Sequence, residues 1–287
     1  MSVVALTTVL SATPALGPFF ATAPAAAVSS GRAVQAAAAT SMFPLFLRRT
    51  SDGHLLVYEP KGTAAGGIKG GLDLGAGFSA ATALLRADVS ARGRSDLYFR
   101  LAGSLYYTAE RGTETKLISA GWDQYNLLMS PGNLGGTSTP DILARDAAGA
   151  LWLVQGRSDG TLAARVQVAA SGWNSMNALA GYGDYTGDGK NDLLARTTDG
   201  ILYIYPGTGS ATANAVLGSR ISAGTTWSAY TALVSTGDNN ADGKADLIAC
   251  DTDGALWLFK GTGVSSAPFA ARVQIAASGC KGANAYF

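Results

Sequence analysis

Two loops of nearly identical sequence, GDYTGDGKNDLLAR and GDNNADGKADLIAC, carry the side chains best suited to chemistry. Each loop places oxygen-bearing side chains at positions one, three, five and nine. These residues are Asp184, Thr186, Asp188 and Asp192 in the first loop, and Asp238, Asn240, Asp242 and Asp246 in the second. Alternating oxygens on a tightly turned loop surround a hard cation such as calcium. The spacing therefore predicts two calcium sites, and we expect their role to be structural because no acid or base accompanies them.

The remaining loop positions separate these loops from EF-hands. Gly189 and Gly243 at position six tolerate the backbone angles of the turn, and Lys190 and Lys244 at position seven offer only a carbonyl ligand. Position twelve, where an EF-hand needs a bidentate Glu, is alanine in both loops, and a strand follows instead of a helix. The alternative interpretation is a tight turn whose side chains cap strand ends without a metal.

The two loops belong to a repeat of about fifty residues. Five tight-turn glycines are spaced 50, 46, 51 and 54 residues apart: Gly53, Gly103, Gly149, Gly200 and Gly254. One short apolar strand precedes each turn and another follows it. A third comes after a polar loop, and a fourth leads into the next Asp loop. Four short antiparallel strands per repeat are typical of β-propeller blades.

The segments GDYTGDGKNDLL and GDNNADGKADLI resemble FG-GAP/VCBS-type repeats, which occur in integrin-like propellers and in secreted bacterial proteins. The resemblance extends over residues 42–287 and implies that the Asp loop joins the innermost strand of a blade to the second strand. It also implies calcium in that loop and a central channel lined by the innermost strands. We expect five blades, with Ala283–Phe287 completing the N-terminal blade beside Phe46. A fragment of a larger ring, or a ring completed by a second chain, is the alternative.

The other two interblade loops lack a full ligand set. The loop from Asp88 to Asp96 has Arg92 at position five, where a guanidinium pairs with carboxylates and blocks a metal. The loop before Asp141 offers Asn133 and Thr137 but one carboxylate, which is too little charge for calcium. The sequence therefore predicts two calcium ions and not four.

The two cysteines, Cys250 and Cys280, replace an arginine and an aromatic residue that the other four repeats carry together. The arginines are Arg49, Arg100, Arg145 and Arg196, and the aromatics are Phe78, Trp122, Trp173 and Trp227. Paired replacement predicts that the two positions touch. We expect guanidinium–ring stacking in four repeats and a disulfide in the last. Two unrelated buried thiols are the alternative.

Bulk properties exclude several classes of function. The 287-residue chain has a net charge of +1 and no cluster of Lys or Arg, which argues against binding to nucleic acid. The single histidine, His54, follows a turn and is expected to be an exposed turn residue. No nucleophile elbow is present and Glu is scarce, so we expect no enzyme and no catalytic residues.

Residues 1–41 form an Ala-, Thr- and Pro-rich segment outside the repeats. An apolar stretch leading to Ala25 and Ala27 fits an A-x-A cleavage pattern, which predicts a signal peptide cleaved after Ala27 and a secreted protein. Prolines within the stretch disfavour a membrane span. The alternative is a disordered Ala-rich tail, because no Lys or Arg precedes Arg32.

These observations favour a secreted, monomeric binding module that recognises carbohydrate, cell-wall or other extracellular ligands. A protein-interaction or adhesion module is the alternative, and a secreted hydrolase is a third class. Tyr125-Asn126 and Trp173-Asn174 have the chemistry to stack on sugars, but residues that recur in every blade are better explained by packing between blades. The ligand-binding residues stay unassigned by the sequence.

Overall fold

The computed structural model describes residues 41–90 and 95–287, so the predicted signal segment lies almost wholly outside the described residues. Twenty strands form five separate four-stranded antiparallel sheets. Three single-turn 3₁₀ helices, Trp122–Gln124, Trp173–Ser175 and Trp227–Ala229, are the only helical segments of the described part. The all-β propeller with five blades, which the repeat predicts, is confirmed.

The strands are short because glycine-containing turns interrupt every apolar run. The first ten are β1 (Leu45–Arg49), β2 (Leu55–Tyr58), β3 (Leu72–Asp73), β4 (Ala83–Ala87), β5 (Asp96–Leu101), β6 (Ser104–Ala109), β7 (Glu114–Ser119), β8 (Tyr125–Gly132), β9 (Asp141–Asp146) and β10 (Leu151–Val154). The others are β11 (Val166–Ala169), β12 (Met176–Gly183), β13 (Asp192–Thr197), β14 (Leu202–Tyr205), β15 (Ile221–Ser222), β16 (Tyr230–Ser235), β17 (Leu247–Asp251), β18 (Leu256–Phe259), β19 (Val273–Ala276) and β20 (Ala283–Tyr286).

Each blade runs outward from an inner strand. Blade 1 has the order β20-β1-β2-β3, and blades 2 to 5 have the orders β4-β5-β6-β7, β8-β9-β10-β11, β12-β13-β14-β15 and β16-β17-β18-β19. The inner strands of blades 2 to 5 contact one another in sequence, and β16 contacts β20. Residues of all five blades line a central channel of about 430 Å³. The predicted strand order, from the channel outward, is confirmed.

Blade 1 combines strands from the two ends of the repeat region. The N–H of Phe46 donates to the carbonyl of Phe287 at 2.7 Å, and the reverse bond measures 3.1 Å. The register continues through Leu47 opposite Tyr286. The expected closure is therefore present, and β1 gains a hydrogen-bonded partner instead of an exposed edge.

The turn glycines that define the repeat all have positive φ. Gly53, Gly103, Gly149, Gly200 and Gly254 have φ between 72° and 93°. This left-handed region is readily accessible only to glycine. The hairpin between the second and third strands of each blade therefore favours a glycine once in every repeat, which makes the repeat visible in the sequence.

The apolar core is divided among the five blade boundaries. Each boundary has its own cluster of buried side chains, contributed by the facing sheets of two neighbouring blades. Leu143, Leu193 and Leu247 from second strands are fully buried in this way. Packing between neighbouring blades and the pairing of β1 with β20 therefore hold the ring together.

A repeated arginine clamp ties each of four blades to the next. The donors are Arg48, Arg100, Arg145 and Arg196, and the accepting carbonyls include those of Phe78, Trp122, Trp173 and Trp227. Arg145 is representative. Its Nη1 donates to the carbonyls of Trp173 and Met176 at 2.8 and 2.7 Å, while its Nε donates to Asn126 at 2.9 Å.

Two details of the predicted arginine–aromatic contact are wrong. The guanidinium groups donate to main-chain carbonyls and do not stack on the aromatic rings, because the 3₁₀ turn aims its carbonyls at the second strand of the preceding blade. In blade 1 the clamp residue is Arg48, and Arg49 instead pairs with Asp52 and Asp73 on the surface. The predicted proximity of the two positions is nevertheless correct.

At the fifth boundary the clamp is covalent. Cys250 on β17 and Cys280, just before β20, form a disulfide between blade 5 and blade 1. Both residues are buried. The disulfide that the paired replacement predicts is therefore present. It joins two neighbouring blades and does not lie within the last one.

Candidate functional site

The aspartate at position nine anchors the backbone at each of the four interblade loops. Asp96, Asp141, Asp192 and Asp246 are all buried, with at most 1% of their surface exposed. In each case one carboxylate oxygen accepts the N–H groups of loop positions two and three. Because Asp96 and Asp141 keep this role in loops that lack a full ligand set, the position-nine carboxylate holds the loop independently of any metal.

The first Asp loop gathers its carboxylates. One oxygen each of Asp184, Asp188 and Asp192 lies within 4.8 Å of the others. Thr186 Oγ1 lies 3.4 Å from Asp184 Oδ1, and the N–H of Lys190 donates to Asp188 at 2.9 Å. Three carboxylates and a hydroxyl on one tight loop fit the oxygen donor set that calcium prefers.

The second Asp loop is arranged differently. Asp238, Asp242 and Asp246 do not form a comparable group, and the side-chain Nδ2 of Asn240 donates to Asp242 at 2.9 Å. The N–H of Lys244 donates to Asp242, as its counterpart does in the first loop. To bind a cation here, the Asn240 amide has to turn its oxygen toward the ion. The residue types of the second loop therefore fit calcium, but its side chains are less well arranged for the ion than those of the first loop.

Burial shapes the protonation of the anchoring carboxylates. It raises the pKa of Asp192 and of Asp141 to about 6 each, partly offset by the backbone N–H groups that the carboxylates accept. Burial also raises the pKa of Asp246 to about 7, and the nearby carboxylates of Asp242 and Asp238 act in the same direction. Clustered buried carboxylates of this kind are stabilised in their charged form by a cation.

In the loop before Asp141, the side chain at position one forms hydrogen bonds within its own turn. Asn133 accepts the N–H of Gly136 at 2.8 Å and donates to the carbonyl of Thr137, so its amide serves the turn itself. Arg92, which the sequence places at position five of the Asp88 loop, lies outside the described residues. Burial raises the pKa of Asp88 in that loop.

His54 lies in a charged surface cluster. Its Nδ1 is 2.9 Å from a carboxylate oxygen of Asp73, and Arg49 contacts both Asp73 and Asp52. The histidine is half-buried on the hairpin turn of blade 1. This agrees with a turn residue, although its contact with Asp73 was not predicted.

Arg86 lines the central channel. Its guanidinium is sandwiched between the rings of Phe43 and Tyr182, each centroid 4.1 Å away, and it donates to the carbonyls of Pro44 and Ser235. The side chain is buried. Arg86 therefore joins blades 1, 2, 4 and 5 across the axis, a role that repeat comparison cannot reveal because a single repeat carries it.

A second cavity lies between blades 2 and 3. It measures about 520 Å³, including space open to solvent, and opens beside Trp122, Gln124, Tyr125, Val154 and Arg165. Arg165 Nη1 donates to the hydroxyl of Tyr125 at 2.7 Å. We call this cavity the 2/3 pocket. It combines aromatic surface with polar groups, which is the usual composition of a small-ligand site.

A small side chain, Val154, borders the 2/3 pocket. In blades 4 and 5 the last residue of the third strand is aromatic, and Tyr205 and Phe259 pack on Trp173 and Trp227 with centroids 5.0 and 4.6 Å apart. In blade 3 the same position is Val154, which leaves the space beside Trp122 unfilled. Aligning the third strands, LWLV, LYIY and LWLF, would have revealed this difference in the sequence.

The structure gives different surroundings to Tyr125-Asn126 and Trp173-Asn174, the two pairs that the sequence suggested for stacking on sugars. Trp173 is 6% exposed and packs on Tyr205, and Asn174 donates to the carbonyl of Ala147, so this pair serves packing. Tyr125 borders the 2/3 pocket, whereas Asn126 holds the clamp arginine of its blade.

The five four-stranded sheets and the Asp loops between them define a five-bladed β-propeller. Residues 184–249 match the family model described as FG-GAP-like repeat, and the resemblance inferred from the sequence is confirmed over that span. No curated protein matches the chain. No helix among the described residues is long and apolar enough to cross a membrane.

Several solved structures share the general architecture at low identity. A lectin from Burkholderia pseudomallei is 14% identical, with a TM-score of 0.44, over 83% of this chain and 71% of that chain. A mutant of AofleA from Arthrobotrys oligospora is 11% identical, with a TM-score of 0.46, over 84% and 75% of the two chains. A protein of unknown function from Bacteroides caccae is 10% identical, with a TM-score of 0.39, over 81% and 73%. Likeness at this level carries no information about ligands.

Proposed function

We propose that this chain is a secreted, calcium-stabilised propeller that binds carbohydrate in the 2/3 pocket. The observation that carries the proposal is the space left beside Trp122 by Val154, at a position that blades 4 and 5 fill with an aromatic ring. Nothing in the packing of the repeat requires that space, since the same boundary geometry accommodates larger side chains elsewhere.

The groups around the pocket suit a saccharide. Trp122 and Tyr125 are largely buried, with 7% and 5% of their surface exposed, and border the pocket, while the Gln124 amide and the Arg165 guanidinium offer hydrogen bonds at the rim. Sugar rings have apolar faces edged by hydroxyl groups, so a site with both kinds of contact suits them. A protein-interaction role has the same fold-level support, but a concave pocket between blades favours a small ligand or a glycan terminus.

A glycan array with the purified protein and its Val154→Phe variant tests the proposal. Phe occupies the equivalent position in blade 5, so the variant is expected to fold with an unchanged melting temperature and to lose glycan binding. Glycan binding that survives the substitution contradicts the pocket. Capture of protein ligands alone, with no glycan bound by the wild type, favours the adhesion alternative.

Calcium is proposed at the two Asp loops, held in the first by Asp184, Thr186, Asp188, Asp192 and the Lys190 carbonyl. The second site would use Asp238, Asn240, Asp242, Asp246 and the Lys244 carbonyl. The cation would supply positive charge that offsets repulsion among the carboxylates, which stabilises the folded ring through binding linkage. No catalytic role is proposed for these residues, and a hydrolase screen of the wild type is expected to be negative.

Secretion is proposed on the apolar N-terminal segment together with the disulfide, because disulfides persist in oxidising compartments. N-terminal sequencing of protein recovered from culture medium is expected to begin at Val28. Protein found only inside the cell and starting at Met1 would contradict this assignment.

A further inference from the structure

Resting on the proposed function, we infer that the 2/3 pocket selects saccharides that carry an anionic group, such as a carboxylate or a sulfate. Arg165 is the group that recognises this charge. Among the described residues that line the pocket, it is the only charged one.

Arg165 is held in place by contacts that leave donors free for a ligand. Its guanidinium lies over the ring of Trp152, 4.3 Å from the centroid, and its hydrogen bonds to Tyr125 and Gln124 both use Nη1. A guanidinium carries five N–H donors in a fixed fork. Stacking fixes the plane of that fork, so less conformational entropy is lost when a ligand binds to the remaining donors.

The positive charge at the pocket is not neutralised by an ion pair within the described residues. Asp146 accepts the indole N–H of Trp152, on which Arg165 stacks, at 3.1 Å and the N–H of Ala150 at 3.0 Å. Asp123 is exposed on the turn beside Gly103. A carboxylate or sulfate accepts paired N–H bonds from a guanidinium more strongly than a hydroxyl does, which makes the anionic ligand the preferred one.

Blade 5 provides a natural comparison. Arg272 lies 4.0 Å from the Trp257 centroid and donates to the Tyr230 hydroxyl, reproducing the arrangement of Arg165. There Phe259 and Phe269 pack against Trp227 and fill the space beside it. The stacked arginine is therefore a recurring structural device, and in blade 3 it adjoins the 2/3 pocket.

Pairs of ligands that differ in charge but are similar in shape test whether the pocket recognises the anionic group. Isothermal titration of the whole protein would use oligogalacturonate against its methyl ester, and a sulfated galactan against its desulfated form. We expect the charged member of at least one pair to bind about tenfold to a hundredfold more tightly, the range for a hydrogen bond to a charged group. The pair that shows the difference identifies which anion is recognised.

Three variants locate the effect. Arg165→Ala is expected to abolish the preference for the charged ligand, Arg272→Ala to retain it, and Val154→Phe to abolish binding of both ligands. Equal affinity for charged and neutral forms, with both lost in Val154→Phe, overturns anion selection while the proposed function stands. A charge preference that Arg272→Ala removes as strongly as Arg165→Ala overturns the assignment to blade 3. Absence of binding to any glycan overturns the proposed function and this inference together.

Discussion

Phe46 and Phe287 stack face to face with their ring centroids 5.0 Å apart, and their main chains exchange two hydrogen bonds. This pair joins the first strand of the ring to the last. Since β1 and β20 are at opposite ends of the repeat region, their pairing closes the ring. Its stability is therefore a property of the whole ring and not of separate blades.

Removing a clamp arginine should weaken one blade boundary. Arg196→Ala leaves the carbonyls of Trp227 and Tyr230 without their charged donor in a buried setting, so we expect a loss of about 2–3 kcal/mol in the free energy of unfolding. Denaturant unfolding measures this loss. Arg220→Ala, which removes an exposed guanidinium stacked on Tyr203, is the control and should cost much less. Equal losses in the two variants would contradict the clamp.

The disulfide should contribute by restraining the unfolded chain. Cys250 and Cys280 are separated by 30 residues, for which the chain-entropy model gives about 3–4 kcal/mol. Cys280→Ser should lose about this amount, and thiol titration of the unfolded wild type without reductant should find no free thiol. Two free thiols would contradict the disulfide.

The same boundary offers a test by exchange. Cys250→Arg combined with Cys280→Trp installs the residues found at the other boundaries and should recover part of the stability lost in Cys280→Ser. The comparison is made by denaturant unfolding of both variants. A double variant no more stable than Cys280→Ser would show that the arginine clamp does not transfer to this boundary.

Asp141 should give the protein a measurable pH dependence. Its carboxyl has a raised pKa, about 6, in the folded state, so protonation favours folding. The stabilisation from this protonated carboxyl is fully present below the pKa of Asp141 in the unfolded chain, about 4, and is lost as the pH rises through about 6. Relative to Asp141→Asn, the wild type should lose on the order of 1–2 kcal/mol between pH 4.5 and 7.

Unfolding of both proteins at several pH values measures that difference. Asp199→Asn, at an exposed hairpin position, serves as the control for adding an amide on the surface. Parallel stability curves for the wild type and Asp141→Asn would mean that the buried carboxyl does not titrate in this range.

Calcium should bind the first Asp loop more tightly than the second, because only the first already gathers three carboxylates. Calcium at one hundred times its dissociation constant should add about 2.7 kcal/mol to the free energy of unfolding, and chelator should remove it. Calorimetric titration should resolve two sites, with the tighter one lost in Asp188→Asn. Loss of the tighter site in Asp242→Asn instead would reverse the order, and no response to calcium would exclude both sites.

The fold was accessible from the sequence because its determinants are local. Positive-φ glycines, position-nine aspartates and alternating apolar strands recur in register, so comparing repeats gave the blade order and the closing strand. The paired cysteines were accessible for the same reason, since both positions change together. The register error between Arg48 and Arg49 came from two adjacent arginines in one strand, which only the pairing of β1 with β20 distinguishes.

The 2/3 pocket was harder to predict from the sequence because it depends on a missing contact. Val154 is an ordinary strand residue, and its effect appears only when Tyr205 and Phe259 are seen to pack on tryptophans. Arg86 was missed for a related reason. Its partners Phe43, Tyr182 and Ser235 are far apart in the sequence and come together only around the channel.

The position of the disulfide decides how the ring responds to mechanical force. Tension applied to Phe287 would peel β20 from β1 one hydrogen-bonded pair at a time, since both strands present their ends on the same side. Peeling would stop at Cys280, where the covalent link to Cys250 transfers the load to blade 5. The disulfide therefore limits the unravelling caused by tension at Phe287 to the residues that follow Cys280.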